Sequence, residues 1–308
     1  MKFRPLTPSD YVLLKPFFAR QRYPLCPYSL SSIIAWTNEV YSPCGAVHGD
    51  SLIIYANFAG RHRERSHLIL PVSPDRDHIP EELAETSRQT GYDTYWFVPE
   101  DYLSRHAEND LESFFDIERH EEYDDYVYRT EDLATLAGGK YSKKRNLIKQ
   151  FERHYSEKSK NLTVKTLSQK DVPECLEFLE RWCEERECEV DRDEDLACEW
   201  NATRNALENI DTMGFRSIVL SIDGTVQAFA IASQLTEAMS AFHFQKASTQ
   251  FSGLYQFFDR ECARRLFPKL EYINKESDMG VPGLIQSKHS YHPVMMIKSY
   301  KLRLREQA

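Results

Sequence analysis

A short segment occurs twice in this 308-residue chain, 161 positions apart. Residues 3–10 read Phe3-Arg-Pro-Leu6-Thr7-Pro-Ser-Asp10, and residues 164–171 read Val164-Lys-Thr-Leu167-Ser168-Gln-Lys-Asp171. Each is a short strand running into Thr or Ser with Asp three residues on, the pattern of a helix N-cap closed back by an acidic partner. Each then enters an apolar-periodic run, Leu13, Leu14, Phe17 and Phe18 in one copy and Leu176, Phe178, Leu179 and Trp182 in the other. Both continue through a second helical stretch into a hairpin. The first hairpin is Gly45–His48, turn Gly49-Asp50, Leu52–Ala56; the second is Phe215–Ile222, turn Asp223-Gly224, Thr225–Ala232. Asp-Gly between alternating apolar runs is a strong hairpin signal, because both turn residues need positive φ. A pattern repeated at half the chain length constrains the chain to two copies of one unit.

The second copy continues through a strand at Ala238–Gln245, a helix at Gly253–Leu266 and a strand at Tyr272–Asn274, and ends in a strand at Val294–Leu302. The first gives a thinner version, with strands near His67–Val72, Tyr92–Val98 and Ser113–Arg119. The expected class is α+β, with two tandem units, 1–135 and 136–308, each a mixed and mainly antiparallel sheet flanked by helices. The 41% apolar residues suffice for real cores. No run approaches the roughly 18 apolar residues of a membrane span. The N-terminus reaches Pro and Asp without an apolar signal core, so the expected location is cytoplasmic. Seven cysteines without Cys-x-x-Cys fit neither a disulfide framework nor a zinc cage, and no metal site is expected.

The formal charge of −9 excludes a wholesale nucleic-acid coat but leaves room for a local basic patch. Residues 140–170 hold ten Lys/Arg against Glu152 and Glu157, whereas residues 171–211 hold fifteen Asp/Glu against four Arg. A helix expected at about 139–156 opens the second unit. At 100° per residue, Tyr141, Leu147, Ile148, Phe151 and Tyr155 share one face, and Lys143, Arg145, Asn146, Lys149 and Arg153 fall on the other. The cations read either as a rail for phosphates or as a solvated face balanced by the acidic block.

The remaining chemistry lies towards the C-terminus. His243 alternates with Phe242 and Phe244, which sets the histidine on one side of its strand and the rings on the other, with Lys246 near the strand's end. Gln250, Ser252 and Gly253 precede a helix and read as an anion cradle or, for Ser252, as a plain N-cap. Asn274, Glu276, Asp278, Lys288 and Tyr291 crowd a Gly/Pro-rich loop and a helical turn. There the carboxylates suit an ammonium group, and Lys288 and Tyr291 suit a carbonyl or phosphate; ordinary turn chemistry is the other reading.

Three blocks carry a resemblance: YSKKRNLIKQFE (141–152), the HFQKAS strand end, and NKESDMGVPGLIQSKHSYHPVMMIKSY (274–300). Together they resemble the aminoacyltransferase-type family of the phosphatidylglycerol lysyltransferase C-terminal region, over nearly the whole chain. That resemblance implies two tandem GNAT-like domains and transfer of an amino acid from aminoacyl-tRNA to a lipid or peptide amine. It implies that Lys143, Lys144, Arg145, Lys149 and Arg153 hold RNA and that Glu276 and Asp278, with Lys246 and Asn274, hold substrate. Lys288 and Tyr291 would then lie near the reacting carbonyl, with His243 as base. The lipid-modifying members carry a membrane domain ahead of this region, so the acceptor expected here is open among a small molecule, a peptide and a lipid. Two further readings stand beside it. One is an acyl-CoA-dependent N-acyltransferase, favoured by the Gln250–Gly253 turn and opposed by the bulk of Tyr255. The other is a catalytically silent RNA-binding or scaffold module.

Overall fold

The repeated segment closes in the same way at both of its sites. Thr7 N and Oγ1 donate to Asp10 Oδ2 at 2.9 and 2.8 Å, and Ser168 N and Oγ donate to Asp171 Oδ2 at the same distances. Arg4 and Lys165, again 161 positions apart, each reach the other carboxylate oxygen at 2.5 Å. The Arg4 hydrogen bond holds Asp10 down at about 2. The computed structural model describes residues 1–157, 161–185 and 194–306. Residues 186–193 of the acidic block, Cys188 among them, lie outside the described residues.

The first half runs β1 (Arg4–Pro5), α1 (Tyr11–Leu14), α2 (Leu30–Ala35), the hairpin β2 (Tyr41–His48) and β3 (Ser51–Phe58), β4 (His67–Leu68), α3 (Pro80–Thr90), β5 (Thr94–Pro99), α4 (Glu100–Ser104), α5 (Glu108–Glu112) and β6 (Phe115–Arg119). Then come β7 (Asp125–Arg129), α6 (Thr130–Thr135) and the basic helix α7 (Ser142–Glu157). The second half runs β8 (Leu162–Thr166), α8 (Val172–Glu185), α9 (Glu194–Glu208), β9 (Arg216–Ile222), β10 (Thr225–Gln234), β11 (Met239–Ala247), α10 (Leu254–Arg265), β12 (Tyr272–Asn274), α11 (Pro282–His289), β13 (Met295–Ile297) and β14 (Ser299–Leu304). Asp223 and Gly224 both take positive φ, as the second turn requires, whereas in the first only Gly49 does.

Among the described residues two seven-stranded sheets form, in the orders β1-β2-β3-β4-β5-β14-β6 and β13-β7-β12-β11-β10-β9-β8. Their pairing rules match. Within each, only the fourth and fifth strands of the copy, β4 with β5 and β11 with β12, run parallel. Each sheet also takes one strand from the other half: β14 inserts between β5 and β6, and β7 between β12 and β13. A division at 135/136 therefore does not separate the sheets. The single final strand expected at Val294–Leu302 is instead two strands that break at Lys298 and join different sheets. Strand β7 had no sequence signal of its own partner, since its neighbours come from residues 272–274 and 295–297.

The core follows from this interlock. One apolar cluster runs from Leu6 to Leu302 and unites the first sheet, α2, α8 and one face of the second sheet through Val219, Phe229, Ile231 and Phe244. A second cluster fills the opposite face of that sheet, where Ile148 and Phe151 of α7 and Phe258 and Cys262 of α10 meet Leu220, Ala228, Ala230 and Phe242. Helix α2 is entirely buried, and its end is tied to the second half by Asn205 Nδ2, which donates to Ala35 O at 3.0 Å and Thr37 O at 2.7 Å.

Candidate active site

The strand register decides where the histidine points. Ile231 pairs with Phe244 and Ala232 with Phe242, so His243 is the extra residue of a β-bulge. The alternation read from sequence fails at this point. Phe242 and Phe244 lie in different cores, on opposite faces of the sheet, because the inserted residue shifts the period-2 pattern by one. The bulge aims His243 at the face shared with the first half, together with Ser233 of β10.

There the histidine is fully enclosed and bonded on both nitrogens. Nδ1 lies 2.9 Å from Glu276 Oε1, and Nε2 lies 2.7 Å from Ser233 Oγ. Ser233 Oγ is 2.8 Å from Ser29 Oγ, and Ser29, the N-cap of α2, accepts from Ser32 N at 3.3 Å. A carboxylate can only accept, so the imidazole carries a proton on Nδ1, and in the neutral ring the lone pair lies at Nε2, facing Ser233 Oγ and, at 3.4 Å, Ser29 Oγ. Glu276 reaches the ring from a left-handed backbone, φ +62. Such a conformation costs a non-glycine residue about 1–3 kcal/mol and persists where its surroundings fix it.

Those surroundings are specific. Asn274, fully buried at the end of β12, accepts from Glu276 N at 2.7 Å and donates to Pro24 O at 2.9 Å and Asp125 Oδ2 at 2.8 Å. Asp125 Oδ2 also accepts from Cys26 N at 2.7 Å. Burial pushes the Asp125 carboxyl up to about 6. Lys288 Nζ donates to Lys275 O, Glu276 O and Ser277 O at 2.5, 2.9 and 2.7 Å, clasping the loop from below, and burial pushes the ammonium down. Asn274 and Lys288, read from sequence as substrate-binding and catalytic, thus have their polar groups bonded within the protein and act on the loop that carries Glu276.

Ser29 and Ser233 form part of the wall of a cavity of about 510 Å³ between the halves, a volume suited to a small-molecule group. Its rim carries the exposed Lys15, Arg216 and Glu237. Gly214 also lines it. The glycine sits at φ +65, and a Cβ there would lie 2.0 Å from Tyr11 Oη, so the chain passes Tyr11 only because no side chain is present.

The other sequence candidates lie elsewhere. Tyr291 stacks under Lys144, whose Nζ is 3.4 Å from the ring centroid, beside the Lys275–Asp259 ion pair. Burial, with Asp259 beside it, pushes the Tyr291 phenol well up, and burial lowers Lys144 to about 8. Lys246 is buried against Glu199 Oε1 at 2.5 Å and over the Trp182 ring at 4.3 Å. Asp278 accepts from Tyr126 Oη at 2.5 Å.

On α7, Lys143, Asn146, Lys149 and Arg153 are exposed, whereas Arg145 donates to Leu136 O and Gly138 O at 2.5 and 2.6 Å and so closes the end of α6. Gln250 and Ser252 are exposed, but the N-cap of α10 is Gly253 and not Ser252. Gly253 packs on α7, where a Cβ would lie 2.3 Å from Leu147 O. Sequence reasoning missed Ser29, Ser233, Cys26 and Asp125. The one signal for Ser29 is its position as a Ser cap ahead of Leu30.

Comparison with known proteins adds four likenesses. The family model described as phosphatidylglycerol lysyltransferase, C-terminal, matches residues 24–303. A conserved protein of unknown function from Bacteroides thetaiotaomicron superposes with a TM-score of 0.87 at 26% identity, covering 99% of this chain and 100% of that one. The C-terminal domain of a candidate lysylphosphatidylglycerol synthetase from Agrobacterium fabrum superposes with a TM-score of 0.62 at 15% identity, covering 97% and 93%. An uncharacterized protein of Mycoplasmoides gallisepticum is 23% identical over 195 residues, which is 63% of this chain and 61% of that protein. The fold class stands as expected: α+β, with two mixed, mainly antiparallel sheets flanked by helices.

Proposed function

The chain belongs to the phosphatidylglycerol lysyltransferase C-terminal family, and on that footing we propose that it transfers an aminoacyl group from aminoacyl-tRNA to an amine or hydroxyl acceptor. Family and fold support an acyl or aminoacyl transferase of the GNAT-like type. The observation that carries the reading is the Glu276–His243 pair, joined through Ser233 to the wall of the cavity between the halves. An aminoacyl ester is already activated, so the protein has mainly to align donor and acceptor and take a proton from the nucleophile. That proton would reach His243 Nε2 through the Ser233 hydroxyl bonded to it, and Glu276 holds the ring and stabilises the imidazolium. Asn274 and Lys288 are positioning residues, since both act through the Glu276 loop.

The RNA part of the reading rests on Lys143, Lys149 and Arg153. All three are exposed and fall within about a third of the turn of α7. Lys144 and Arg145 are spent on Tyr291 and on the end of α6 and are not assigned to RNA. The N-terminus of α10 is packed against the backbone of α7, which speaks against a CoA pyrophosphate there. Among the described residues no helix is long and apolar enough to cross a membrane. The acceptor therefore stays defined by chemistry, as an amine or hydroxyl on a small molecule, peptide or lipid.

The test is a binding titration with charged and uncharged tRNA pools at two salt concentrations, with CoA in parallel. The reading expects a charged species to bind with a steep salt slope. Replacing Lys143, Lys149 and Arg153 by Glu should reduce that slope by about 2–3, since each neutralised phosphate adds roughly 0.7–0.9. Salt-independent binding, or binding of CoA alone, would overturn it.

A further inference from the structure

We propose that Asp125 is a positioning residue for His243, with one carboxyl oxygen holding both the turn that carries Ser29 and the loop that carries Glu276. The inference rests on the transferase reading above for the reaction it serves, and goes beyond it in giving Asp125 a role.

Asp125 opens β7, the strand that leaves the first half to pair between β12 and β13 of the second sheet. Its side chain is buried, and Oδ2 accepts from two neutral donors, Cys26 N at 2.7 Å and Asn274 Nδ2 at 2.8 Å. Each donor belongs to a segment that reaches the imidazole. Cys26 begins the tight turn Cys26–Tyr28, which closes with Ser29 N donating to Cys26 O at 3.0 Å. Ser29 Oγ then lies 3.4 Å from His243 Nε2 and 2.8 Å from Ser233 Oγ. Asn274 ends β12, and two residues further on Glu276 Oε1 lies 2.9 Å from His243 Nδ1. One oxygen thus ties together the neighbours of both ring nitrogens, reaching across 99 positions of chain to Cys26 and 149 to Asn274.

The tie is rigid because the Asn274 amide can bond in one orientation only. Its N–H groups donate to Asp125 Oδ2 and Pro24 O, and its oxygen accepts from Glu276 N at 2.7 Å. A flipped amide would set oxygen against two acceptors and N–H against a donor. Glu276 holds a positive φ, a conformation that lasts only while its surroundings fix it. Without the Asp125 oxygen, Cys26 N and one Asn274 N–H lose their buried acceptor, and the turn and the loop are free to shift around the ring. Asparagine keeps an acceptor oxygen at the same place, so substitution separates the acceptor from the charge.

The first experiment needs no substrate. In proton NMR of the native chain in water, the His243 Nδ1–H enclosed against Glu276 should give a slowly exchanging downfield resonance, identified by its loss in His243→Ala. Asp125→Ala, shown to be folded by circular dichroism, should lose that resonance, and Asp125→Asn should keep it. If the alanine variant does not fold, Asp125→Ser takes its place with the same expectation, because its short hydroxyl cannot span both donors. An unchanged resonance in the folded alanine or serine variant overturns the proposal. So does its loss in the folded asparagine variant, or its absence from the folded native chain.

The second experiment measures aminoacyl transfer. Asp125→Ala should lower kcat roughly ten- to a hundredfold, the scale of a small misplacement at a reacting group, with KM for charged tRNA within about twofold. Asp125→Asn should recover most of kcat. A loss carried by KM alone, or an asparagine variant as slow as alanine, overturns the positioning role. No transfer by the native chain, with the resonance behaving as expected, refutes the transferase reading and leaves Asp125 as the residue that sets His243.

Discussion

Replacing Gly253 by Ala separates two roles for the turn before α10. The residue sits at φ +84, where an alanine loses about 1–2 kcal/mol relative to glycine. Its new Cβ would lie 2.3 Å from Leu147 O, 2.9 Å from Leu147 C and 3.1 Å from Phe151 Cβ. Two of these are backbone atoms of α7, which cannot rotate away, so the helix must shift. Overpacking of this kind costs about 1–3 kcal/mol. The variant should therefore lose about 2–5 kcal/mol, a large share of the roughly 5–15 kcal/mol of a typical domain. Guanidinium unfolding followed by the fluorescence of the four tryptophans reads this directly. Ser252→Ala, at an exposed neighbour, should stay within about 0.5 kcal/mol and serves as the control. If Gly253→Ala keeps native stability while weakening an anionic ligand, the glycine is there for a phosphate, and the packing argument is refuted.

The two capping boxes should behave as independent copies. Asp10→Ala and Asp171→Ala should each cost about 1–2 kcal/mol and add in the double variant, because the sites share no partner; strong non-additivity in denaturation midpoints would contradict this. Stability should also fall in acid. His67 and His120 are pushed down to about 3 by burial, so below pH 6.5 the unfolded chain binds protons that the native chain refuses, and stability is lost as pH falls from about 6.5 to 3. Asp125, raised to about 6, acts with the opposite sign between about pH 4 and 6, where the native state binds the extra proton. Asp125→Asn should therefore steepen the acid loss in that window and raise stability above pH 6, since both bonds it accepts go to a single oxygen that an amide can supply. Urea midpoints from pH 4 to 8 decide it, and an unchanged pH profile would refute the role of Asp125.

What could be read from the sequence was local. Cap and partner stand three residues apart, hairpin turns span two residues, and the apolar stripe of α7 recurs every three or four, so the repeat, the hairpins and the basic helix were all visible. The missing parts depend on pairing between distant segments. The bulge at His243 exists only relative to β10, and no period within β11 reveals it. Ser29 and Ser233 are 204 positions apart and meet because α2 docks on the second half. The exchange of β7 and β14 sets each between two strands of the other half's sheet, and neither strand's own composition states it. Lys144 and Arg145 were legible as cations but not as engaged ones, because Tyr291 and the end of α6 supply their partners.

The central claim is that the chemistry is centred on His243 where the halves meet. Its most direct test is the rate of aminoacyl transfer from a charged tRNA pool to an amine acceptor by the native chain and by His243→Ala, with circular dichroism showing that both are folded. The account predicts a loss of at least a hundredfold in the variant, with tRNA affinity kept because Lys143, Lys149 and Arg153 are untouched. Transfer by the folded His243→Ala chain at the native rate would contradict it.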